Sequence, residues 1–405
     1  MRAAARQRRP GSWAVLGAYV ALVAASHVLW ISFATVTGLA ADAFHATEVS
    51  IGLLVSVGPL CSAALSIPAG AIADRYGYRT PLLWAGLATS VFAFLRPLAG
   101  GFPMLLVLTV GLLIPQPFLI NAVADLVNRH FPEAEAATAT GVGTMAIFLG
   151  ITLGLVVTPR LASAGGVRGS QVAYAGASLA ALAVFWRLAP RPVPDRLGLP
   201  EELRMRQALA RVLRSATQWK LSAALFLGFG CYLGITTWLE ELLRPRGIDE
   251  AGAGLVAGMI TIAGMAGSVV LGATSDRYRR RKPFLVAAGV AAAPTLWLLG
   301  SLGPLLAAAF VLGFFLLAAL PIAIAVASED PSLGPQVGST AVGVVLLAGN
   351  LGGAVVVAAL GALQRAAGDL RAAGGLTSGL AVVVALLALT IPDPLRGAGR
   401  RDPVA

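Results

Sequence analysis

Gly70-Ala71-Ile72-Ala73-Asp74-Arg75-Tyr76-Gly77-Tyr78-Arg79 and Gly272-Ala273-Thr274-Ser275-Asp276-Arg277-Tyr278-Arg279-Arg280-Arg281-Lys282 are two versions of one loop, 202 positions apart in a chain of 405 residues. The offset is half the length, so one half of the chain repeats the other. Each loop follows one apolar run and precedes another. A charged turn between apolar runs, recurring at half-length, is the pattern of a duplicated set of membrane spans and hence of a transporter.

Composition agrees. Hydrophobic residues make up 57% of the chain and charged residues 12%, with a mean hydropathy of +0.81; an ordinary soluble domain is about 25% charged. The apolar runs predict twelve spans, at 13–36, 48–70, 81–100, 104–127, 137–160, 170–189, 219–243, 251–272, 283–302, 304–327, 337–360 and 375–392. Each is long enough to cross a hydrocarbon core of about 30 Å as a helix. The expected fold is all-α and membrane-integral, with two pseudo-symmetric six-helix bundles at 1–189 and 219–405 joined by a cytoplasmic linker at 190–218. Abundant Gly and Ala suit helices that pack backbone to backbone, because lipid offers no hydrophobic drive for association.

The net charge of +11 is topological. With the N-terminus inside, 23 of the 30 Lys and Arg residues fall in inner segments. The outer segments hold six, Arg160, Arg168, Arg244, Arg246, Arg365 and Arg371, and Arg96 lies within a span, where it is expected to snorkel outward. That bias places both termini in the cytoplasm and argues against nucleic acid as a partner. Arg2 to Arg9 and the apolar run behind them read as a first helix, since that run is too long for a signal peptide. The compact Ala- and Arg-rich chain points to a prokaryotic inner membrane, and a monomer is the expected state.

Cys61 and Cys231 fall in different spans, so no structural disulfide is expected. With only His27, His45 and His130 and no Cys pair, no metal site is expected either. No G-x-x-x-x-G-K-[ST] loop occurs, which argues against ATP-driven transport. No cofactor and no enzymatic activity are expected, because no nucleophile-base pair can be assembled. The linker opens with Pro190, Pro192 and Pro194 and continues as a basic stretch. It reads equally as an amphipathic helix on anionic lipid or as a solvated connection.

The first loop resembles the signature G-x-x-x-D-[RK]-x-G-x-[RK]-[RK] of the major facilitator superfamily: Gly70, Asp74, Arg75, Gly77 and Arg79 match, and Thr80 departs from it. In the second copy Gly272, Asp276 and Arg277 match, and Arg279 stands where the later Gly would be. The resemblance implies that these residues act in gating, with Asp74 facing a helix end or a cation. A narrower likeness is to the branch of the feline leukaemia virus subgroup C receptor-related proteins, carried by Trp30, the run Ile114-Pro115-Gln116-Pro117-Phe118 with Asn121, the run Phe131 to Gly141, and Tyr232 with Thr236. That branch encloses a quaternary ammonium between aromatics at the positions of Trp30 and Tyr232. Its glutamines in the fifth and eleventh spans are replaced here by Phe148 and by Gly349-Asn350.

The residues support a solute site on their own. His27 and Trp30, three positions apart, share a helix face in the first span. A titratable group in mid-membrane is costly, so His27 is a candidate for binding solute or carrying a coupling proton. Tyr232 offers a ring face to a cation. Gln116, Asn121 and Asn350 offer neutral hydrogen-bonding groups, the first two beside proline-disturbed backbone. Each has a structural reading as well, in helix packing. Asp125, Asn128 and Arg129 form either a gating network or a solvated helix end, and Trp238, Glu240 and Glu241 an outer gate. The expected function is transport of a small organic solute by alternating access, with an organic cation ahead of an organic anion or a drug-export role. A non-transporting membrane sensor on the same fold is the alternative of another class.

Overall fold

The structure, a computed structural model, describes residues 11–190, 205–243, 247–248, 250–300, 304–334, 337–367 and 370–395. The basic stretch from Arg2 to Arg9, the linker at 191–204, Arg244, Arg246 and the tail from Arg396 lie outside the described residues. The described chain is helical almost throughout: α1 (Ser12–Ile31), α2 (Thr37–Ala43), α3 (Glu48–Tyr76), α4 (Arg79–Leu95), α5 (Phe102–Leu113), α6 (Gln116–His130), α7 (Ala136–Leu188), α8 (Met205–Arg214), α9 (Ala216–Thr237), α10 (Leu239–Leu243), α11 (Glu250–Arg277), α12 (Lys282–Gly300), α13 (Leu305–Leu312), α14 (Ala319–Ser328), α15 (Gly338–Ala367) and α16 (Leu370–Thr390).

Among the described residues, ten helical stretches are long and apolar enough to cross a membrane. One of them, Glu133–Leu188, runs for 56 residues and breaks at Gly166, whose φ is 72° and ψ 168°, so it supplies two spans. The shorter apolar helix Lys282–Leu298 supplies another, and the twelve expected spans are accounted for. Between α5 and α6 the helix yields at Ile114-Pro115, where the proline has no N–H and restrains the residue before it.

The helices fall into two compact units. The first holds α1 to α6 with the chain from Gly143 to Gln207, and the second holds Phe131–Val142 with the chain from Ala208 onward. The start of α7 therefore packs with the second unit although most of the helix belongs to the first.

Inside each unit the packing repeats with the sequence offset. In the first, a Cβ added to Gly150 of α7 would lie 2.4 Å from the carbonyl oxygen of Ala24 on α1. In the second, 202 positions on, a Cβ at Gly352 of α15 would lie 1.9 Å from that of Phe226 on α9. One turn further the small residue changes sides. Gly154 receives Ile31 and Val28, whereas its counterpart Val356 packs onto Gly230, the counterpart of Val28. The contact is conserved in shape and not in residue, as expected where backbone approach itself supplies the attraction. Both loops pass through a positive φ, at Gly77 (72°) and at its counterpart Arg279 (50°), and Gly77 pairs it with ψ 164°, a region kept essentially for glycine.

Candidate functional site

Trp30 sits near the end of α1, half-buried, and its indole Nε1–H donates to the carbonyl of Val55 at 2.8 Å. That carbonyl is available because Pro59, four residues on within α3, has no N–H to offer it. Gly58 leaves room for the ring, since a Cβ there would come within 2.6 Å of Nε1. Trp30 thus closes a proline gap in α3. His27 is buried and meets Trp30 edge-on at 5.9 Å between ring centres. Its Nδ1 lies 2.9 Å from the carbonyl of Val23. A carbonyl only accepts, so Nδ1 holds the proton and Nε2 is the basic nitrogen.

In the same unit, α6 contributes Gln116 and Asn121, both buried. The Asn121 amide donates to the carbonyl of Pro117 at 2.8 Å. Gln116 Nε2, Asn121 Oδ1 and, on α1, Ser26 Oγ are buried without a protein partner. Buried polar groups are rarely left so without an ion, water or ligand to serve them. Five positions apart, Gln116 and Asn121 point about 140° from each other around the helix, so they do not form one face. Phe148 is buried in this unit.

Tyr232 belongs to the second unit. Its ring lies 5.9 Å from that of Phe229. Both rings line a hollow bounded by Leu225, Leu285, Leu320 and Val384, and Tyr232 carries the one polar side-chain atom among its lining residues. Trp30 and Tyr232 are repeat counterparts, 202 positions apart. Asn350, half-buried on α15, donates to Leu346 of its own helix at 2.9 Å. Trp238 donates to the carbonyl of Val357 at 3.0 Å.

The second loop builds a buried charge cluster. Gly272 lets α11 approach the start of α7, where a Cβ would lie 2.7 Å from the carbonyl oxygen of Ala137. One turn later the carboxylate of Asp276 accepts from the backbone N–H groups of Ala137 at 3.1 Å and Thr138 at 2.6 Å, and from the Thr138 hydroxyl at 2.5 Å. These are orphan donors of the first turn of α7, and an acidic group there also meets the positive end of the helix dipole. Arg281, fully buried, pairs with Asp276 at 2.5 Å and with Glu329 at 2.9 Å, while its own backbone N–H donates to Asp393 at 3.1 Å. Burial opposes the charge on Arg281, yet Glu329 and Asp276 hold its proton more tightly than usual. Burial pushes the Glu329 carboxyl up, against the attraction of Arg281. Arg277 is exposed.

The first loop is looser. Gly70 is buried in α3, Asp74 half-buried and Arg75 exposed, with its guanidinium 5.1 Å from the Tyr76 ring centre. Arg79 donates to the carbonyls of Ala189 at 3.1 Å and Trp186 at 3.5 Å. Behind Gly77, Asp125 pairs with Arg129 at 2.8 Å and accepts from the backbone N–H of Tyr78 at 2.7 Å. The C-terminal end of α6 is therefore a network around the turn and not a bare solvated end.

One expectation fails. Arg96 does not snorkel: it is fully buried, and its Nη2 donates to the carbonyl of Leu29 at 2.9 Å, to Ser32 Oγ at 3.0 Å and to Gln171 Oε1. Leu29 lies in the last turn of α1, where free carbonyls and the negative end of the dipole make a cation welcome. Sequence reading passed over Gln171 and Glu329 as well. Arg281 was within reach, being the counterpart of Arg79 at the same offset, but nothing local marks Glu329 as its partner.

Comparison with known proteins bears on the whole chain. The model of the Major Facilitator Superfamily matches residues 15–244 and 239–404. An uncharacterised protein of Archaeoglobus fulgidus is 32% identical over 198 residues, covering 48% of this chain and 88% of that protein. Solute carrier family 49 member A3 of Danio rerio is 23% identical over 282 residues, covering 66% of this chain and 60% of its own length. Among solved structures, the Escherichia coli fucose:proton symporter superposes with a TM-score of 0.75 at 16% identity, covering 95% of this chain and 98% of that one.

Proposed function

Since the chain belongs to the major facilitator superfamily, we propose that it is a secondary transporter that moves a small organic solute by alternating access, with an organic cation of the quaternary ammonium type as its leading substrate class. The observation that carries the substrate class is the placing of Trp30 and Tyr232 at equivalent positions of the two halves, one aromatic from each. An aromatic face attracts a desolvated cation by about 2 kcal/mol. The half-satisfied neutral groups Gln116 and Asn121, with Asn350, supply hydrogen bonds without a competing positive charge. His27, with Nε2 as its basic nitrogen, is the residue proposed to carry a coupling proton.

An organic anion is the second reading, and one observation favours it: the buried guanidinium of Arg96. The likeness to the feline leukaemia virus subgroup C receptor-related branch, the two six-helix halves at 1–189 and 219–405, the gating role of the loops, a monomeric state, and a prokaryotic inner membrane with cytoplasmic termini complete the proposal. They rest on the sequence patterns given above.

The test is a thermal-shift screen of the purified protein with choline, other quaternary ammoniums and carboxylates, run on wild type, Trp30→Phe and Tyr232→Ala. A bound ligand stabilises by RT ln(1 + [L]/Kd), so a weak ligand in excess is visible. Quaternary ammoniums are expected to raise the melting temperature of wild type and of Trp30→Phe, which keeps a ring, and to lose their effect in Tyr232→Ala. A shift with carboxylates alone would overturn the cation and leave the transporter standing.

A further inference from the structure

Arg96 holds an imbalance that its neighbours do not resolve. One nitrogen, Nη2, faces three acceptors, the Leu29 carbonyl, Ser32 Oγ and Gln171 Oε1, while Nε and Nη1 are buried with no hydrogen-bond partner. The acceptors are all neutral, and among the described residues no carboxylate lies within ion-pair distance of the guanidinium. Phe33 covers one face at 4.7 Å. Ser32 and Gln171 are themselves fully buried and spend their remaining capacity on each other, at 3.2 Å, and on Leu29, at 3.0 Å.

A second guanidinium stands close by in the fold. Phe33 meets Phe44 edge-on at 5.8 Å, and Arg168 lies over Phe44 at 5.1 Å. Arg168 too is held by carbonyls alone, those of Ala43 at 2.9 Å, Ala99 at 3.1 Å and Pro97 at 3.2 Å. Two cations thus flank one aromatic pair, and among the described residues neither makes an ion pair with a carboxylate. Neutral acceptors and a helix end lower the cost of a buried cation without cancelling it. Two idle buried donors on a buried cation have the chemistry to receive a further acceptor, and an anion suits the charge.

We propose that the idle Nε and Nη1 of Arg96, whose guanidinium Ser32 and Gln171 hold in place, form an internal binding site for a small monoanion, either an inorganic halide or the carboxylate of an organic solute. A halide accepts several N–H groups at once, and a carboxylate presents two oxygens to a guanidinium. The site is independent of the aromatic cation reading, since it uses none of the same residues.

The experiment measures binding of chloride-36 to the wild-type protein in lipid nanodiscs, followed to plateau because the site is buried. Unlabelled chloride, acetate and benzoate serve as competitors, and Arg96→Gln and Arg96→Lys as variants. Saturable chloride binding that Arg96→Gln abolishes and Arg96→Lys weakens supports the site. Displacement by chloride but not by acetate or benzoate identifies a halide, and displacement by the acids identifies a carboxylate. Absence of saturable binding to wild type, with no competition among the anions, overturns the proposal even if Arg96→Gln fails to fold. Undiminished binding in a folded Arg96→Gln overturns it too.

Discussion

Arg79 and Arg281 occupy the same position in the two copies of the loop, 202 residues apart, yet they live in different surroundings. Arg79 rests half-exposed on carbonyls at the end of α7. Arg281 is fully buried between two carboxylates. One sequence difference beside them is Glu329, at the end of α14, which has Val127 as its counterpart in α6. Where the carboxylate exists, the arginine is drawn inward and fixes Asp276 against the start of α7. Where valine stands instead, Asp125 spends its charge on Arg129 and the Tyr78 amide. A repeated motif therefore fixes a turn and a pair of charges, and the neighbouring helix decides what they do.

The sharpest way to break this difference is to remove both arginines in turn. Arg281→Ala strands Asp276 and Glu329 in a buried site and is expected to cost about 3–5 kcal/mol. Arg79→Ala removes hydrogen bonds near the surface and is expected to cost about 1 kcal/mol. Reversible denaturant titration in mixed micelles reads both, and equal losses would show that the burial of Arg281 has no energetic weight.

A smaller effect isolates the cap. Asp276→Ala frees the amides of Ala137 and Thr138 but leaves Arg281 paired with Glu329, so the loss is expected near 2 kcal/mol, the upper end for a helix cap. Amide exchange should then speed up at the first turn of α7 and not in α4. Protection unchanged at Ala137 and Thr138 would count against the cap.

The smallest effect has the opposite sign. Arg279 holds a left-handed turn, φ 50°, where the first copy has glycine, and a side chain there costs about 1–2 kcal/mol. After the greater freedom that glycine gains on unfolding, Arg279→Gly is expected to stabilise by about 0.5 kcal/mol. The first copy is not the mirror of the second: Gly77 combines φ 72° with ψ 164°, a region kept essentially for glycine, so Gly77→Arg is expected to destabilise by about 1–3 kcal/mol, read from the same melting curves.

Much of the fold was legible because its determinants are local or repeated. Hydropathy gave the spans, including the division of α7 into 137–160 and 170–189, and the structure locates that break at Gly166. The pair His27 and Trp30 followed from helical spacing, since three positions bring two side chains to one face. The partner of Trp30 was less accessible, although Pro59 in the sequence already marks Val55 as an unpaired carbonyl. Arg96 was misread because position within a span indicates depth but not direction; α1 and α7 had to be placed beside it before Leu29, Ser32 and Gln171 made burial cheaper than reaching for the interface.

By itself the sequence determined the membrane setting, the twelve spans and the internal repeat, since each depends on hydropathy over a single helix or on similarity at a fixed offset. Only the tertiary structure decided that Asp276 caps α7, that Glu329 completes Arg281, that Trp30 mends the gap left by Pro59, and that Arg96 lies inward with donors to spare. These depend on which helices pass within hydrogen-bond reach, and in a bundle held by close backbone contact that is settled by packing over the whole unit.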